Sequence, residues 1–445
     1  MKATVPIAIA IVVALIPTPS GLAPHAWLYF AIFLGIVLAL ILEPVPASAV
    51  GLLGVTIVAA AAPWTLFSPA ELATQSFDAP TRAIEWAVSG FANTTIWLSF
   101  AAFLFATGYQ KTGLGRRIAL LLVYSMGRRT ILLGYAIMLA DLIRVPFTPS
   151  NTARSAGTIF PIIRNLPLLY GSHPHTPSAR RIGGYVMWTA LAATSVTSSL
   201  FVTALAPNVL TIEMIQTATH VRITWIQWFL GFAPAGMLLL AVLPLLVFVL
   251  FPTEVRKGTQ AVRWAGQELA QIGVVSRREY ILAALVVGAI LLWAFADRYV
   301  HPSTVALIVV GLMLTCGLLS WNDILRNREA WKALVPLATP VTLAGGLSRT
   351  GFIIWFAEGV SGAKKSLPSI ATMILLITVY FFSHYLFASI TAHVTAMMPI
   401  MIEIGARSPG VPVEEFAMLL AFSHGLMGIL TPYASTSGPV YLGSG

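Results

Sequence analysis

Charge is the first thing this sequence is short of. Only 9% of its 445 residues are Asp, Glu, Lys or Arg, 58% are hydrophobic, and the mean hydropathy is +0.85. A soluble domain carries about 25% charged residues, so no aqueous core accounts for this composition and the solvent for most of the chain is lipid. Cysteine is nearly missing too. Cys316 stands alone inside an apolar run, which excludes disulfides and any cysteine-based metal site. HExxH, GxSxG and paired carboxylates within apolar segments are also lacking, so an intramembrane hydrolase has no residues to work with. No cofactor is implied. The net charge of +10 is confined to a few loops, and in a membrane protein that reports orientation before it suggests nucleic acid.

What the chain has in abundance is apolar segments, recurring from 4–17 to 415–430. Residues 1–19 resemble a signal peptide, but a second apolar run follows at once, which favours a first spanning helix. Some segments are long enough to cross a bilayer, which takes ~20 residues; others, 131–145 among them, are not. At 1.5 Å per residue, 131–145 give a helix of ~22 Å, stopped by Pro146 and Pro149. After the tip "TPSNT" an apolar helix is expected over 152–168. The economical reading is a re-entrant hairpin, 131–168. With that hairpin, one side of the membrane collects 17 of the 26 basic residues, Lys2 among them. Lys364 and Lys365 fall on the other side. An odd number of crossings would cancel the bias, so the hairpin and the N-terminus are placed in the cytoplasm.

The sequence also repeats itself. GYQKTGL at 108–114 is echoed by GLSRTGF at 346–352, SNTAR at 150–154 by SITAH at 389–393, and LAPN at 205–208 by LTPY at 430–433. A second hairpin, 367–405, follows from the echo. An odd number of spanning segments separates the two hairpins, so the halves are inverted. Inverted repeats with broken apolar segments in matching positions point to a secondary transporter with its site near the midplane. By symmetry a last spanning helix is missing after Pro432. The expected fold is therefore an all-α polytopic membrane protein. Residues 1–92 are N-terminal scaffold helices, 93–224 the first repeat core, 225–333 further scaffold with a cytoplasmic loop, and 334–445 the second repeat core.

Tips of this kind present backbone amides and the positive end of a helix dipole, which together bind anions. Ser150, Asn151, Thr152, Ser389 and Thr391 add donors suited to carboxylate oxygens. The breaks at Ala206–Pro207 and Thr431–Pro432 supply similar chemistry, with Asn208 beside the first and small residues (Thr203, Ser435, Thr436, Gly438) leaving room for a ligand. Arg154 and His393 hold equivalent repeat positions, two residues past each Ser-x-Thr. A charge within the membrane costs at least ~2.5–3.5 kcal/mol and is a functional hypothesis by default; the alternatives are pairing of Arg154 with Asp141 and a neutral core histidine. Arg144 reads as an ordinary local partner of Asp141. His384 and His424 read as packing residues.

GFANTTIWL, TGLGRRIALL, PFTPSNTARSAGTIFPI, RRIGGYVM, VTALAPN, HYLFASITAHVTAMMPI and GLMGILTPYASTSGPVYLGSG closely resemble the divalent anion/sodium symporter family. They are most similar to its citrate–succinate, tartrate–succinate and plastidic 2-oxoglutarate–malate exchanger branch. The resemblance implies a homodimer in a bacterial inner membrane, with a static scaffold and a mobile transport domain that slides as an elevator. It also implies paired Ser-Asn-Thr tips, each gripping one carboxylate of a di- or tricarboxylate anion. The second tip departs from that pattern, since Ile390 cannot donate. Sodium-coupled relatives use the tips to help coordinate Na⁺; Arg154 and His393 stand where that charge is needed, which implies sodium-independent exchange. A Na⁺-coupled symporter and an inorganic oxyanion transporter or channel are the alternatives.

Overall fold

Lipid offers backbone N–H and C=O groups no partner but one another, so the apolar segments of this chain close into helices. The computed structural model describes residues 2–362, 367–387, 389–435 and 437–444; Lys364, Lys365 and Thr436 lie outside them. Among the described residues there is no strand, only an isolated antiparallel bridge between Arg129 and Lys257. Six described helices are long and apolar enough to cross a bilayer: Pro24–Leu42, Ala47–Thr65, Thr130–Phe147, Trp225–Leu250, Arg277–Phe295 and Ser369–Leu386. Ala79–Ala92 and Thr94–Thr112, bent by 40° at their break, form a seventh if they act as one span.

Several boundaries differ from the sequence expectation. The first helix is Thr4–Leu15, whose 12 residues fall short of a crossing. The segment 182–206 ends early, at Leu200, and the chain resumes helix at Ala206. The break therefore lies ahead of Pro207, which sits in a first turn where its missing N–H is no loss. The expected helix 152–168 is also divided. A π-helix, Thr152–Ile159, passes into Phe160–Ile163, and a 3₁₀ turn follows at Pro167–Tyr170. Pro161 cannot donate to the preceding turn, and Thr158 Oγ1 reaches the Ala153 carbonyl five residues back at 3.2 Å, the spacing of a π-helix.

Two of the helices that have no counterpart in the apolar segments form a pair. Leu114–Met126 and Thr259–Ile272 are amphipathic; they pack together through Ala119, Leu120, Val123, Ala261 and Ala265. Arg117 fastens one end of the pair. Its Nε donates to Glu279 at 2.5 Å and its Nη1 to the Gly273 carbonyl at 2.8 Å.

Internal contacts group the chain into two units. One comprises Met1–Trp97, Val209–Ile223 and Glu329–Ala421; the other comprises Leu98–Asn208, Thr224–Arg328 and Phe422–Gly445. The first is cored by Tyr29, Phe33, Val58, Leu343 and Phe352, with Phe30 stacked on Phe352 at 4.1 Å. Tyr29 donates to the Leu343 carbonyl at 3.1 Å. Gly346 makes room for it, since a Cβ there would lie 2.0 Å from the phenol oxygen. The second is cored by Leu120, Leu133, Ile137, Ile163, Tyr185 and Val186.

Helix lengths carry the internal repeat further than the sequence did. Thr130–Arg144 runs 15 residues into a 3₁₀ turn at Val145–Phe147; Ser369–Ser383 runs 15 residues into a 3₁₀ turn at His384–Leu386. Every boundary is shifted by 239. Gly113 and Gly351, the glycines of the GYQKTGL and GLSRTGF echo, carry φ of +79° and +78° between successive helices. A Cβ at either would meet nothing within 4 Å, so substitution there costs conformational strain alone. Gly113→Ala and Gly351→Ala should therefore each cost roughly 1–2 kcal/mol, lowering the melting temperature of the purified protein by similar amounts. A much larger loss at one of them would break the equivalence.

Candidate functional site

The first tip lies in the second unit and is built around Arg154. Helix Thr130–Arg144 ends, three residues turn as 3₁₀, and 148–150 lie outside any helix, Thr148 extended, before the chain re-enters helix. Ser150 starts the returning turn: its Oγ accepts from Ala153 N at 3.2 Å and its carbonyl from Arg154 N at 2.9 Å. Arg154 is 0% exposed. Its Nε donates to Asp141 Oδ1 at 3.0 Å. Nη1 donates to the carbonyls of Thr148 and Ala204 at 3.1 and 2.9 Å. Nη2 donates to Asn151 Oδ1 at 3.1 Å, Ser198 Oγ at 2.7 Å and the Thr194 carbonyl at 3.4 Å. The five N–H groups of a guanidinium thus meet six oxygens from four places in the chain. Thr197 donates to the other oxygen of Asp141 at 2.5 Å.

The second break is stitched to this tip. Ala206 N donates to the Pro149 carbonyl at 3.1 Å. Asn208 is buried and donates through Nδ2 to the Ser198 carbonyl at 2.7 Å, while His424 Nδ1 lies 3.3 Å from its Oδ1. Pro207 is buried beside it. His424 thus belongs to this polar cluster and is more than a packing residue. Ser155 Oγ lies 2.8 Å from Tyr441 Oη, which ties the returning helix to the C-terminal segment. Within that segment Thr431 and Pro432 are half-buried, and Gly438 packs so closely that a Cβ would lie 2.2 Å from the Pro432 carbonyl. Thr152 is exposed at the tip and Ser150 half-buried, whereas Asn151 is turned inward.

The expected pairing of Arg144 with Asp141 is not what the structure contains. Asp141 bonds Arg154 and Thr197 instead. Sequence spacing favours the i+3 neighbour; the break at 145–150 lets the residue thirteen positions on fold back and take the carboxylate. The sequence reading also passed over Thr194, Thr197 and Ser198. Their signal was present, because hydroxyls spaced by three and four in "ATSVTSSL" line one face of the apolar helix Gly183–Leu200.

The second tip lies in the first unit. Ser389 and Thr391 are half-buried, and Thr395 Oγ1 donates to the Thr391 carbonyl at 2.8 Å. His393 is 0% exposed, its N donates to the Ser389 carbonyl at 3.0 Å, and its Nε2 lies 3.0 Å from Ser383 Oγ. The rings of Tyr380, Phe387 and His384 stand 4.5, 5.1 and 5.3 Å from its own. Three of these contacts repeat the first tip position by position. Tyr380 and Phe387 match Asp141 and Thr148, and the Ser389 carbonyl matches that of Ser150, all at the same shift of 239. His384, thought a packing residue, is part of this cluster.

The family described as "Sodium:sulfate symporter transmembrane region" matches residues 1–445. The chain is 47% identical over 440 residues to an L-tartrate/succinate antiporter of Shigella sonnei (strain Ss046), covering 99% of this chain and 90% of that one. It is 47% identical over 444 residues to a citrate/succinate antiporter of Escherichia coli (strain K12), covering 100% and 91%. The crystal structure of the Alcanivorax borkumensis YdaH transporter superposes with a TM-score of 0.54 over 95% of this chain and 91% of that one, at 14% identity; it shares the fold.

Removing one partner of a buried ion pair costs about 3–5 kcal/mol, far more than removing both. Asp141→Asn should therefore lower the melting temperature sharply, and Asp141→Leu with Arg154→Met should recover part of the loss. Strict additivity in that double-mutant cycle would show that the two side chains do not act as a pair.

Proposed function

Because this chain belongs to the sodium:sulfate symporter family, the divalent anion/sodium symporters, we propose that it is a secondary transporter that exchanges one di- or tricarboxylate for another without sodium. The family and the names of two 47%-identical relatives support the substrate class: citrate, succinate, tartrate and related acids. Ser150, Asn151 and Thr152 hold one carboxylate, with Thr152 the exposed donor, and Ser389 and Thr391 hold the other with backbone amides in place of an asparagine. Asn208, Pro207, Thr431 and Pro432 shape the walls. No step makes or breaks a covalent bond, so the protein is not an enzyme.

The observation that carries sodium independence is the environment of Arg154. Sodium sites in broken-helix transporters are built from unwound backbone carbonyls and nearby side-chain oxygens. Here the carbonyls of Thr148, Thr194 and Ala204, with oxygens of Asp141, Asn151 and Ser198, converge on one point, and the guanidinium fills it. A tethered cation occupies the place of a diffusible one. Arg154 on this reading organises the tip through Asn151 and does not itself face the carboxylate. His393 holds the matching place at the second tip.

The wider architecture follows the same reading. Repeat cores 93–224 and 334–445 carry hairpins 131–168 and 367–405, which enter from opposite faces and move together as the elevator. Residues 1–92 and 225–333 form the scaffold of a homodimer in the bacterial inner membrane, with the N-terminus in the cytoplasm.

Proteoliposomes test the reading. Uptake of labelled succinate should depend on preloaded succinate or citrate and should not change when Na⁺ is replaced by K⁺ or choline. Uptake that follows a sodium gradient into empty vesicles would instead make the protein a symporter, and competition by sulfate but not by citrate would make it an oxyanion carrier. Thr152→Ala should raise the substrate concentration for half-maximal exchange roughly tenfold, the loss of one hydrogen bond to a charged group. Arg154→Ala should nearly abolish exchange.

A further inference from the structure

Between Asp141 and Glu213 the chain carries five arginines and no acidic residue. Two of them, Arg144 and Arg154, are buried near the tip. The other three, Arg164, Arg180 and Arg181, are exposed where the returning limb of the hairpin ends and in the loop after it. Glu254 meets Arg181 at 3.3 Å. Arg164 has no carboxylate partner among the described residues.

Arg164 borders a cavity of about 420 Å³ within the second unit. Asn165 and His173 join it as polar lining, and Phe160, Leu168 and Met187 supply apolar walls. No acidic side chain lines the space. The loop on one side is held by its own hydrogen bonds. Buried Ser172 donates through Oγ to the Ser178 carbonyl at 2.8 Å and accepts from Gly183 N at 3.2 Å, while His173 N donates to Ser178 Oγ at 3.0 Å. The side chains of Arg164, Asn165 and His173 are exposed. Met187 adjoins Trp188 in helix Gly183–Leu200, and Trp188 is exposed and stacked on exposed Phe251 at 5.7 Å. Exposed aromatic pairs of this kind sit at the membrane–water interface. The cavity therefore joins cationic lining to apolar walls at the level where headgroup gives way to hydrocarbon.

We propose that this cavity binds an anionic phospholipid, its phosphate on Arg164, Asn165 and His173 and the start of an acyl chain along Leu168, Met187 and Phe160. Charge sets the class: a guanidinium with no carboxylate partner takes a phosphate, and basic pockets between spanning helices bind such headgroups. The mixed walls set the source, since a free phosphate or a short dicarboxylate leaves the apolar side wet and a lipid covers it. None of these residues belongs to either tip, and the site does not depend on which acid is carried.

The test uses the whole protein in phosphatidylcholine nanodiscs at fixed ionic strength. Replacing part of the phosphatidylcholine with phosphatidylglycerol should raise the melting temperature saturably. Arg164→Gln should raise the phosphatidylglycerol fraction needed for half the gain about tenfold, the loss of one charge-assisted contact. Arg128→Gln, at a residue exposed but outside the cavity, should leave it unchanged. A cryo-EM map in the mixed discs should show a phosphate beside Arg164. Equal loss with both variants would reduce the effect to general surface charge and overturn the proposal. The same gain from inorganic phosphate in phosphatidylcholine alone, a lipid effect that succinate removes competitively, or polypeptide filling the cavity in the map would each overturn it too.

Discussion

A guanidinium withdrawn from water forfeits hydration worth several kcal/mol and recovers it only from well-placed acceptors. Arg154 meets that demand with oxygens drawn from the helix before the tip, the tip itself, helix Gly183–Leu200 and the break after it. The consequence is geometric. The acceptors are backbone carbonyls and polar side chains from separate elements, and the arginine draws them to one place. Asn151 cannot turn outward while its oxygen is held by Arg154 and by Ser198 at 2.6 Å. The tip is therefore preorganised by a residue that need not touch a ligand, and Thr152 is left as the exposed group.

The two tips meet one structural problem with different chemistry. Helix lengths, 3₁₀ turns and the first backbone bond of the returning helix agree between them. What fills each contact does not. Where Asp141 supplies a carboxylate to Arg154, Tyr380 supplies a ring face to His393; where Thr148 offers a carbonyl, Phe387 offers another ring. An imidazole has only two ring nitrogens; one serine hydroxyl meets Nε2, and rings surround the rest. A guanidinium needs acceptors on every edge. The backbone of the repeat is thus the inherited frame, and the identity of one buried residue dictates the polarity of its whole pocket.

Much of this was legible from the residues. The breaks at Pro146 and Pro149, the equivalence of Arg154 with His393 and the scarcity of charge all follow from one-dimensional pattern, because proline and burial act locally. The misreadings have a common physical cause. Arg144 was assigned to Asp141 because i+3 neighbours share a helix face, but a tip that folds back brings residue 154 to the same carboxylate, and the rigid, five-donor fork satisfied by six oxygens prevails. Helices Leu114–Met126 and Thr259–Ile272 escaped notice because a search for long apolar runs overlooks a helix with only one greasy face. The π-helix at Thr152–Ile159 is not legible from Pro161, since Pro399, one residue short of the matching place, lies within Ile390–Ala406 and that helix stays α.

The pairing of Arg154 with Asp141 also bears on why the proposed exchange would be obligatory. A site holding an unbalanced cation would resist returning empty on electrostatic grounds. With the carboxylate beside it, that penalty is largely internal and cancels. On the proposed reading, what an empty site still carries is donors: tip amides, Ser150, Ser389 and Thr391. Moving these through a dry interface unsatisfied costs about 1–3 kcal/mol for each group, so a handful suffices to slow the empty return by orders of magnitude. A carboxylate satisfies several at once and lifts the penalty. Coupling of one substrate's exit to another's entrance then needs no ion and no charge imbalance, only hydrogen-bond donors that cannot cross alone.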